Sequence, residues 1–339
     1  MKSPEALSHD AAMRLAVEHA NMVKGSTYPN PPVGAVILDR DGRVVGAGGT
    51  EPAGGAHAEV VALRRAGALA AGGTAVVTLE PCNHHGKTPP CVDALLGAGV
   101  AAVVYAVADP NPIAAGGAAR LAAAGVQLVS GVQADLVVAG PLREWLHKQK
   151  TGLPHVTWKY ATSIDGRSAA ADGSSQWIAS EAARADVHRR RAAADAIIVG
   201  TGTVLADDPA LTARLPDGTL ADRQPLRVVV GKRDIPSEAR VLNDDSRTMV
   251  IRTHDPHEVL KALSDRTDVL LEGGPTLAGA FLRAGAIDRI LAYVAPILLG
   301  GPVTAVDDVG VPNIARALRW QFDGVERVGP DLVLSLVPR

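Results

Sequence analysis

Four residues in the N-terminal half of the chain, His57, Glu59, Cys82 and Cys91, have the types and spacing of a metal-assisted hydrolytic centre. One imidazole and two thiolates make three zinc ligands, which leaves the fourth position of a tetrahedral ion for water. Zinc lowers the pKa of such a water. Glu59, two positions after His57, has the place of a proton shuttle that takes the water's proton and passes it to a departing amine. His-x-Glu followed by two cysteines is the general pattern of the zinc deaminases, whose glutamate does not ligate the metal. Taken singly, a histidine is more often a satisfied core residue and a cysteine a small hydrophobe. Here both cysteines of the chain join the set, and a structural zinc site would want a fourth protein ligand that no further cysteine supplies.

The spacing of the cysteines narrows the substrate. Deaminases of nucleosides and nucleic acids commonly place two residues between them, whereas eight intervene here, Asn83 to Pro90. That insertion brings His84, His85 and Lys87 to the rim of the metal site, and a lysine there suits a substrate phosphate as a point charge.

The elements that position these groups follow from periodicity. Residues 11–23 read as an amphipathic helix, and residues 33–38 and 44–47 as strands joined by an Asp39-Arg40-Asp41-Gly42 turn. A helix over 59–71 ends at Gly72-Gly73, a strand over 75–79 runs into the cysteine loop, and a helix over 91–96 follows. Strands over 101–106 and 126–129 flank a helix over 118–124, which is the rhythm of a three-layer α/β domain. Residues 143–152 lack an apolar run and read as a linker, giving domains over 1–146 and 152–339. In the second half, strands are expected over 154–161, 196–199, 226–230, 248–251, 269–271, 290–295 and 328–336, with a helix over 180–194 capped by Ser180.

Size and composition bound the reading. A chain of 339 residues exceeds the length at which one core stops growing, so two domains are the natural expectation. A net charge of −2, with Arg189-Arg190-Arg191 as the one dense basic cluster, gives no footprint for nucleic acid. No stretch approaches the ~18 apolar residues of a membrane span, and the N-terminus lacks a signal-peptide layout. Two cysteines serving as thiolate ligands suit a reducing cytoplasm.

The second half has no Gly-x-Gly-x-x-Gly after a strand, so a Rossmann dinucleotide fold has little support. Gly200-Thr201-Gly202-Thr203 is a weak glycine cue. Glu272-Gly273-Gly274-Pro275-Thr276 is stronger, because a strand enters glycines and then a proline suited to a first helical position. Free backbone N–H groups at such a helix start suit a cofactor pyrophosphate, although a plain strand-to-helix turn has the same sequence.

Taken together, Pro29-Asn30-Pro31-Pro32-Val33-Gly34, His57-Ala58-Glu59, Pro81-Cys82, Gly86-Lys87-Thr88-Pro89-Pro90-Cys91 and Asp109-Pro110-Asn111-Pro112 resemble the bifunctional riboflavin-biosynthesis deaminase/reductase family. So do Lys159 with Ser163-Ile164-Asp165-Gly166-Arg167, Ser175-Gln176-Trp177-Ile178, Asp207-Asp208-Pro209, Leu211-Thr212-Ala213-Arg214 and the stretch from Glu272 to Gly279. The resemblance covers almost the whole chain in order. It implies a cytidine-deaminase-like domain followed by a dihydrofolate-reductase-like α/β domain. The first would use Zn2+ to remove the ring amine of a diaminopyrimidinone ribotide, and the second would use NADPH to reduce the ribosyl group to ribityl. It implies that Asn30, His84, Lys87, Asp109 and Asn111 hold the deaminase substrate, and that Ser175, Arg191, Leu211, Arg214 and Glu272 hold the reductase substrate. Ala161, Trp177, Thr203, Asp207, Lys232, Gly274, Pro275, Thr276, Leu277, Ala278 and Gly279 would contact NADPH, with Lys159 and Asp207 as catalytic proton donors or imine stabilisers. The family's pairing of reductase domains implies a homo-oligomer.

The chain departs from the family pattern at four places. Thr50 stands where a histidine is frequent, and Gly55 and Val61 replace a frequent glutamate and histidine. Lys232-Arg233 replaces an acidic residue followed by Ser or Thr, and the basic pair is expected to meet the 2′-phosphate of NADPH. Three rival readings stand beside this one: a nucleic-acid-editing deaminase with an accessory domain, a metal-stabilised scaffold, and an enzyme with one inert half.

Overall fold

A computed structural model describes residues 6–86 and 88–339. The chain divides into two compact units, Met1–Gly152 and Leu153–Arg339.

In the first unit, Ser8 caps α1 (His9–Val23) by accepting from the Ala11 N–H at 3.2 Å. The expected hairpin forms as β1 (Gly34–Leu38) and β2 (Val44–Gly49). Every residue of β1 is buried, as suits a central strand covered on both faces. Next come α2 (Ala58–Ala66), a 3-10 turn over Gly67–Ala70, and β3 (Thr74–Leu79). After these follow α3 (Cys91–Gly97), β4 (Ala102–Val107), α4 (Gly117–Ala123) and β5 (Gln127–Ser130). The five strands run in the order β2-β1-β3-β4-β5, antiparallel around β1 and parallel from β3 to β5. Helices and sheet share a core that includes Met13, Ile37, Leu95 and Leu121.

The unit does not end where composition suggested. The stretch expected to be a linker is helical: α5 (Ala134–Ala139) leads into α6 (Arg143–Thr151). Trp145 and Leu142 are buried in the first core, which anchors α6 despite its charged surface. Gly152, in the left-handed region at φ 74°, terminates it.

The second unit opens with β6 (His155–Ser163), α7 (Glu181–Ala193), β7 (Ala196–Gly200) and α8 (Thr201–Asp207). Then come β8 (Leu226–Val230), β9 (Thr248–Ile251), α9 (Pro256–Ala262), β10 (Asp268–Leu271), α10 (Pro275–Arg283) and β11 (Arg289–Ala295). A single closing strand was expected over 328–336; the structure has it as β13 (Asp331–Pro338) and pairs it with a further strand, β12 (Trp320–Val328), through a turn at Gly329, at φ 62°. The sheet order is β12-β13-β11-β6-β10-β7-β8-β9. The six strands from β11 to β9 are parallel, and the hairpin adds two antiparallel strands beside β11. Parallel strands joined through helices place their C-terminal ends on one edge, where ligands of open α/β sheets bind. Arg227, in the apolar run of β8, is fully buried; its two terminal amino groups donate to the carbonyls of Ala210, Arg240, Asn243 and Ser246, and its Nε has no hydrogen-bond partner among the described residues.

Candidate active sites

The first site assembles at the N-termini of two helices. His57 is the N-cap residue of α2 and Glu59 lies in its first turn. Cys82 follows β3 in the loop beyond Leu79, and Cys91 is the first residue of α3. His57 Nδ1 lies 3.2 Å from Cys91 Sγ and 3.5 Å from Cys82 Sγ, and the Cys91 N–H donates to Cys82 Sγ at 3.4 Å. Tetrahedral zinc with bonds of ~2.0–2.3 Å sets ligand separations of roughly 3.5 Å, so the donor set fits the ion. The positive helix ends favour thiolate over thiol. A hydrogen bond from the Cys91 thiol draws Cys82 down to about 4, and that bond together with burial pushes Cys91 up. A bound cation displaces the proton of that thiol. Burial, with the charge on Cys82 adding to it, pushes the Glu59 carboxyl up to about 7, and the His57 charge and a hydrogen bond from Cys91 oppose the rise.

His57, Glu59 and Cys82 line a cavity of about 320 Å3. Asn30, His84, Asp109 and Asn111 also line it, so the structure gathers four of the five residues expected to hold the deaminase substrate. The fifth, Lys87, lies outside the described residues. His84 Nδ1 is buried without a hydrogen-bond partner among the described residues, which leaves it for a ligand. Asp109 accepts from the Asn111 N–H at 2.8 Å, which rigidifies the loop carrying both.

Sequence reasoning missed Glu80, which anchors that loop. Its two oxygens accept from the Asp109 N–H at 3.3 Å and the Ala118 N–H at 3.0 Å. A carboxylate at the end of an otherwise apolar strand, one residue before Pro81-Cys82, was the available signal. Trp145 and Gln149 of α6, which also line the cavity, were missed because that segment read as a linker.

Each departure has a local account. Thr50 is buried, and its hydroxyl accepts from the Val33 N–H at 3.2 Å, so it ties the end of β2 to the start of β1. A Cβ on Gly55 would stand 2.6 Å from Cβ of Glu51, whose carboxylate instead accepts from the Ala56 N–H at 2.8 Å. Val61 packs on Gly48 of β2.

The second site lies on the edge where β6, β7, β8 and β10 end. Arg191 on α7 donates to both carboxylate oxygens of Glu272, at 2.7 and 2.9 Å, and to the Thr212 carbonyl at 3.1 Å. Lys159 Nζ stands 4.0 Å from the same carboxylate and 5.6 Å from the centre of the Tyr293 ring. Burial would raise Glu272, but the charge and hydrogen bonds of Arg191, with Lys159 adding, hold it down at about 2. Burial lowers Lys159, and Glu272 counters that. Tyr293 was not singled out by sequence, since an aromatic in a strand reads as core.

The expected strand-to-helix turn forms between β10 and α10. The Gly274 N–H donates to Thr203 Oγ1 at 3.2 Å, and Pro275 opens α10. A Cβ on Gly273 would meet the Leu277 side chain at 2.7 Å, and one on Gly274 would meet Thr203 Oγ1 at 3.3 Å. The bare backbone at these positions gives room to the chain's own Leu277 and Thr203. Thr276 donates to Asp307 at 2.6 Å, while Ala278 is enclosed in the core and Gly279 faces the Asp308 carbonyl. Ala161 is half-buried on β6, beyond Lys159. Trp177 is 68% exposed beneath the Arg184 guanidinium, with half-buried Ser175 two residues before it. Asp207 is exposed at the end of α8; Leu211 is buried with φ 53°, and Arg214 donates to the Gly218 carbonyl at 2.8 Å. Lys232 and Arg233 are exposed beyond β8, and Arg233 reaches to within 2.8 Å of where a Gly202 Cβ would stand.

Fold and sites define a zinc-dependent deaminase unit followed by a nicotinamide-dependent reductase unit. Residues 7–107 match the cytidine and deoxycytidylate deaminase zinc-binding region, and residues 154–334 match the RibD C-terminal domain. The riboflavin biosynthesis protein RibD of Mycobacterium tuberculosis is 80% identical over 339 residues, covering 100% of both chains. Among solved structures, Acinetobacter baumannii RibD superposes with a TM-score of 0.86 at 39% identity, covering 98% of this chain and 99% of that one. The Thermotoga maritima diaminohydroxyphosphoribosylaminopyrimidine deaminase/5-amino-6-(5-phosphoribosylamino)uracil reductase superposes at 0.85 with 32% identity, covering 98% and 99%. The chain belongs to the RibD family of bifunctional riboflavin-biosynthesis deaminase/reductases. With both halves matched, the readings with an accessory or inert domain are not favoured. No helix among the described residues is long and apolar enough to cross a membrane.

Proposed function

We propose that the first unit deaminates 2,5-diamino-6-(5-phosphoribosylamino)pyrimidin-4-one and that the second reduces the ribosyl group of the product to ribityl with NADPH. The observation that carries this is the cluster of His57, Cys82 and Cys91 at a cavity that Glu59 also lines, on a chain whose second half matches the family's reductase domain.

His57, Cys82 and Cys91 would hold a zinc ion, which would supply an activated water as nucleophile. Glu59 accepts a proton from that water and delivers one to the leaving nitrogen, so ammonia departs and a ring carbonyl remains. Asn30, His84, Asp109 and Asn111 orient the ring, and Lys87 neutralises the phosphate. In the reductase, bound NADPH would supply the hydride for C1 of the sugar. Thr203, Asp207, Trp177, Lys232 and the turn from Gly274 to Gly279 position the cofactor, with Ala161 beside it. Ser175, Leu211 and Arg214 hold the substrate. Glu272, kept ionised by Arg191, holds Lys159 against the reacting sugar, where Lys159 or Asp207 gives the proton that balances the hydride.

Two further readings attach to this one. The edge hairpin β12–β13 exposes Phe322, Val325 and Leu332, an apolar surface suited to a second copy of the chain, so the enzyme is a homo-oligomer through its reductase domain. Cysteine ligands without disulfides suit the cytoplasm.

The test follows ammonia release and NADPH oxidation separately in the purified zinc-loaded protein supplied with the pyrimidine ribotide. Both must occur, in that order. Ammonia release from a polynucleotide, with none from the ribotide, would overturn the reading.

A further inference from the structure

We propose that Gln149, carried with Trp145 on one face of α6, is a specificity-determining residue of the deaminase that hydrogen-bonds the sugar substituent of the pyrimidine. The inference rests on the deaminase reading above.

Residues four apart on a helix lie one above the other, and Trp145 and Gln149 both line the catalytic cavity. Trp145 is 5% exposed and closes the wall as an apolar surface, whereas Gln149 is exposed at the mouth. The reacting groups that line the same cavity are buried, Glu59 at 4% and Cys82 at 8% exposure. A pyrimidine that presents its amine to the buried end therefore extends its sugar towards the mouth. The Gln149 amide makes no hydrogen bond among the described residues, and it offers both donors and an acceptor. That pairing suits sugar hydroxyls, which also donate and accept.

The wall is held in place. Lys24, just beyond α1, pairs with Glu144 of α6 at 2.7 Å. Lys148 lies over the Tyr28 ring at 5.6 Å, next to the Pro29-Asn30-Pro31 segment that also lines the cavity. These two contacts pin α6 to the loop that carries Asn30. The matched zinc-binding region ends at residue 107, well before α6. The helix is therefore added to the part that performs the reaction, where a discriminating wall belongs.

The experiment measures ammonia release by the full-length, zinc-loaded enzyme from 2,5-diamino-6-(5-phosphoribosylamino)pyrimidin-4-one. Gln149→Met keeps the length and helix-forming character of the side chain and removes only the amide. KM is expected to rise about fivefold to tenfold, the loss of one neutral hydrogen bond, while kcat stays within about twofold. Zinc content and Tm remain those of the wild type. An unchanged KM, or a loss that falls on kcat, zinc content or Tm instead, overturns the inference. A wild-type enzyme that releases no ammonia from the ribotide overturns the deaminase reading itself, which separates the two failures.

Discussion

The guanidinium of Arg191 grips both carboxylate oxygens of Glu272, 81 positions away in sequence, at 2.7 and 2.9 Å. Arg191 also donates to the Thr212 carbonyl. Removing the guanidinium strands a buried carboxylate. Arg191→Met is expected to cost about 3–5 kcal/mol of reductase-unit stability at neutral pH. The sign with pH follows from the depressed value of about 2: the wild-type contribution is full above the ordinary carboxylate value of 4.5 and drains as pH falls towards 2. Urea unfolding of both proteins at several pH values between 7 and 2.5 checks this, and their curves should converge at the acid end.

Glu59→Gln should lower ammonia release by at least about 100-fold, since the proton shuttle is lost while the shape is kept. Zinc, bound by His57, Cys82 and Cys91, should remain at the wild-type stoichiometry by metal analysis. Loss of zinc along with activity would make Glu59 a ligand.

Removal of zinc by a chelator, or Cys91→Ser, should stop ammonia release and leave NADPH oxidation intact when the deaminated ribotide is supplied. The cysteines belong wholly to the first unit, and the reductase groups to the second. A parallel loss of NADPH oxidation would show that the reductase depends on the metal.

Gly117 opens α4 with no room for a side chain: an added Cβ would lie 1.8 Å from the carbonyl oxygen of Pro81, the residue before Cys82. Gly117→Ala must therefore displace the cysteine loop. Zinc affinity measured by chelator competition should fall at least tenfold, with NADPH binding unaltered.

Replacing Lys232 and Arg233 together by alanine should weaken NADPH binding at least tenfold and leave NADH nearly unaffected. Quenching of intrinsic tryptophan fluorescence, titrated with each cofactor, reads this without turnover. Equal losses for both cofactors would place the pair away from the 2′-phosphate.

Much of the first site was legible because its donors are chemically distinctive and local. His57 and Glu59 share a helix start, and the only two cysteines flank one loop. The strands surrounding them alternate with helices over short distances, so periodicity located each within a few residues. Segment 143–151 was misread because Arg143, Glu144, His147, Lys148 and Lys150 mask a narrow apolar stripe of Leu142, Trp145 and Leu146. The first arm of the closing hairpin was missed because Gln321, Asp323, Glu326 and Arg327 break any apolar run in β12, whereas β13 is rich in valine and leucine. The pairing of Arg191 with Glu272 was beyond reach, since it depends on α7 and the end of β10 meeting across the sheet edge.

The order of strands in the two sheets also sets when each half of the enzyme can fold on the ribosome. All five strands of the first sheet have emerged once residue 130 is made. The second sheet is built around β6, its first strand, whose two neighbours β10 and β11 begin only at residues 268 and 289. While the intervening segment is synthesised, β6 exposes both of its edges, a long-range closure of the kind that folds slowly and invites aggregation. A growing chain can thus complete its metal-binding half early, whereas the reductase half waits for nearly its last residues.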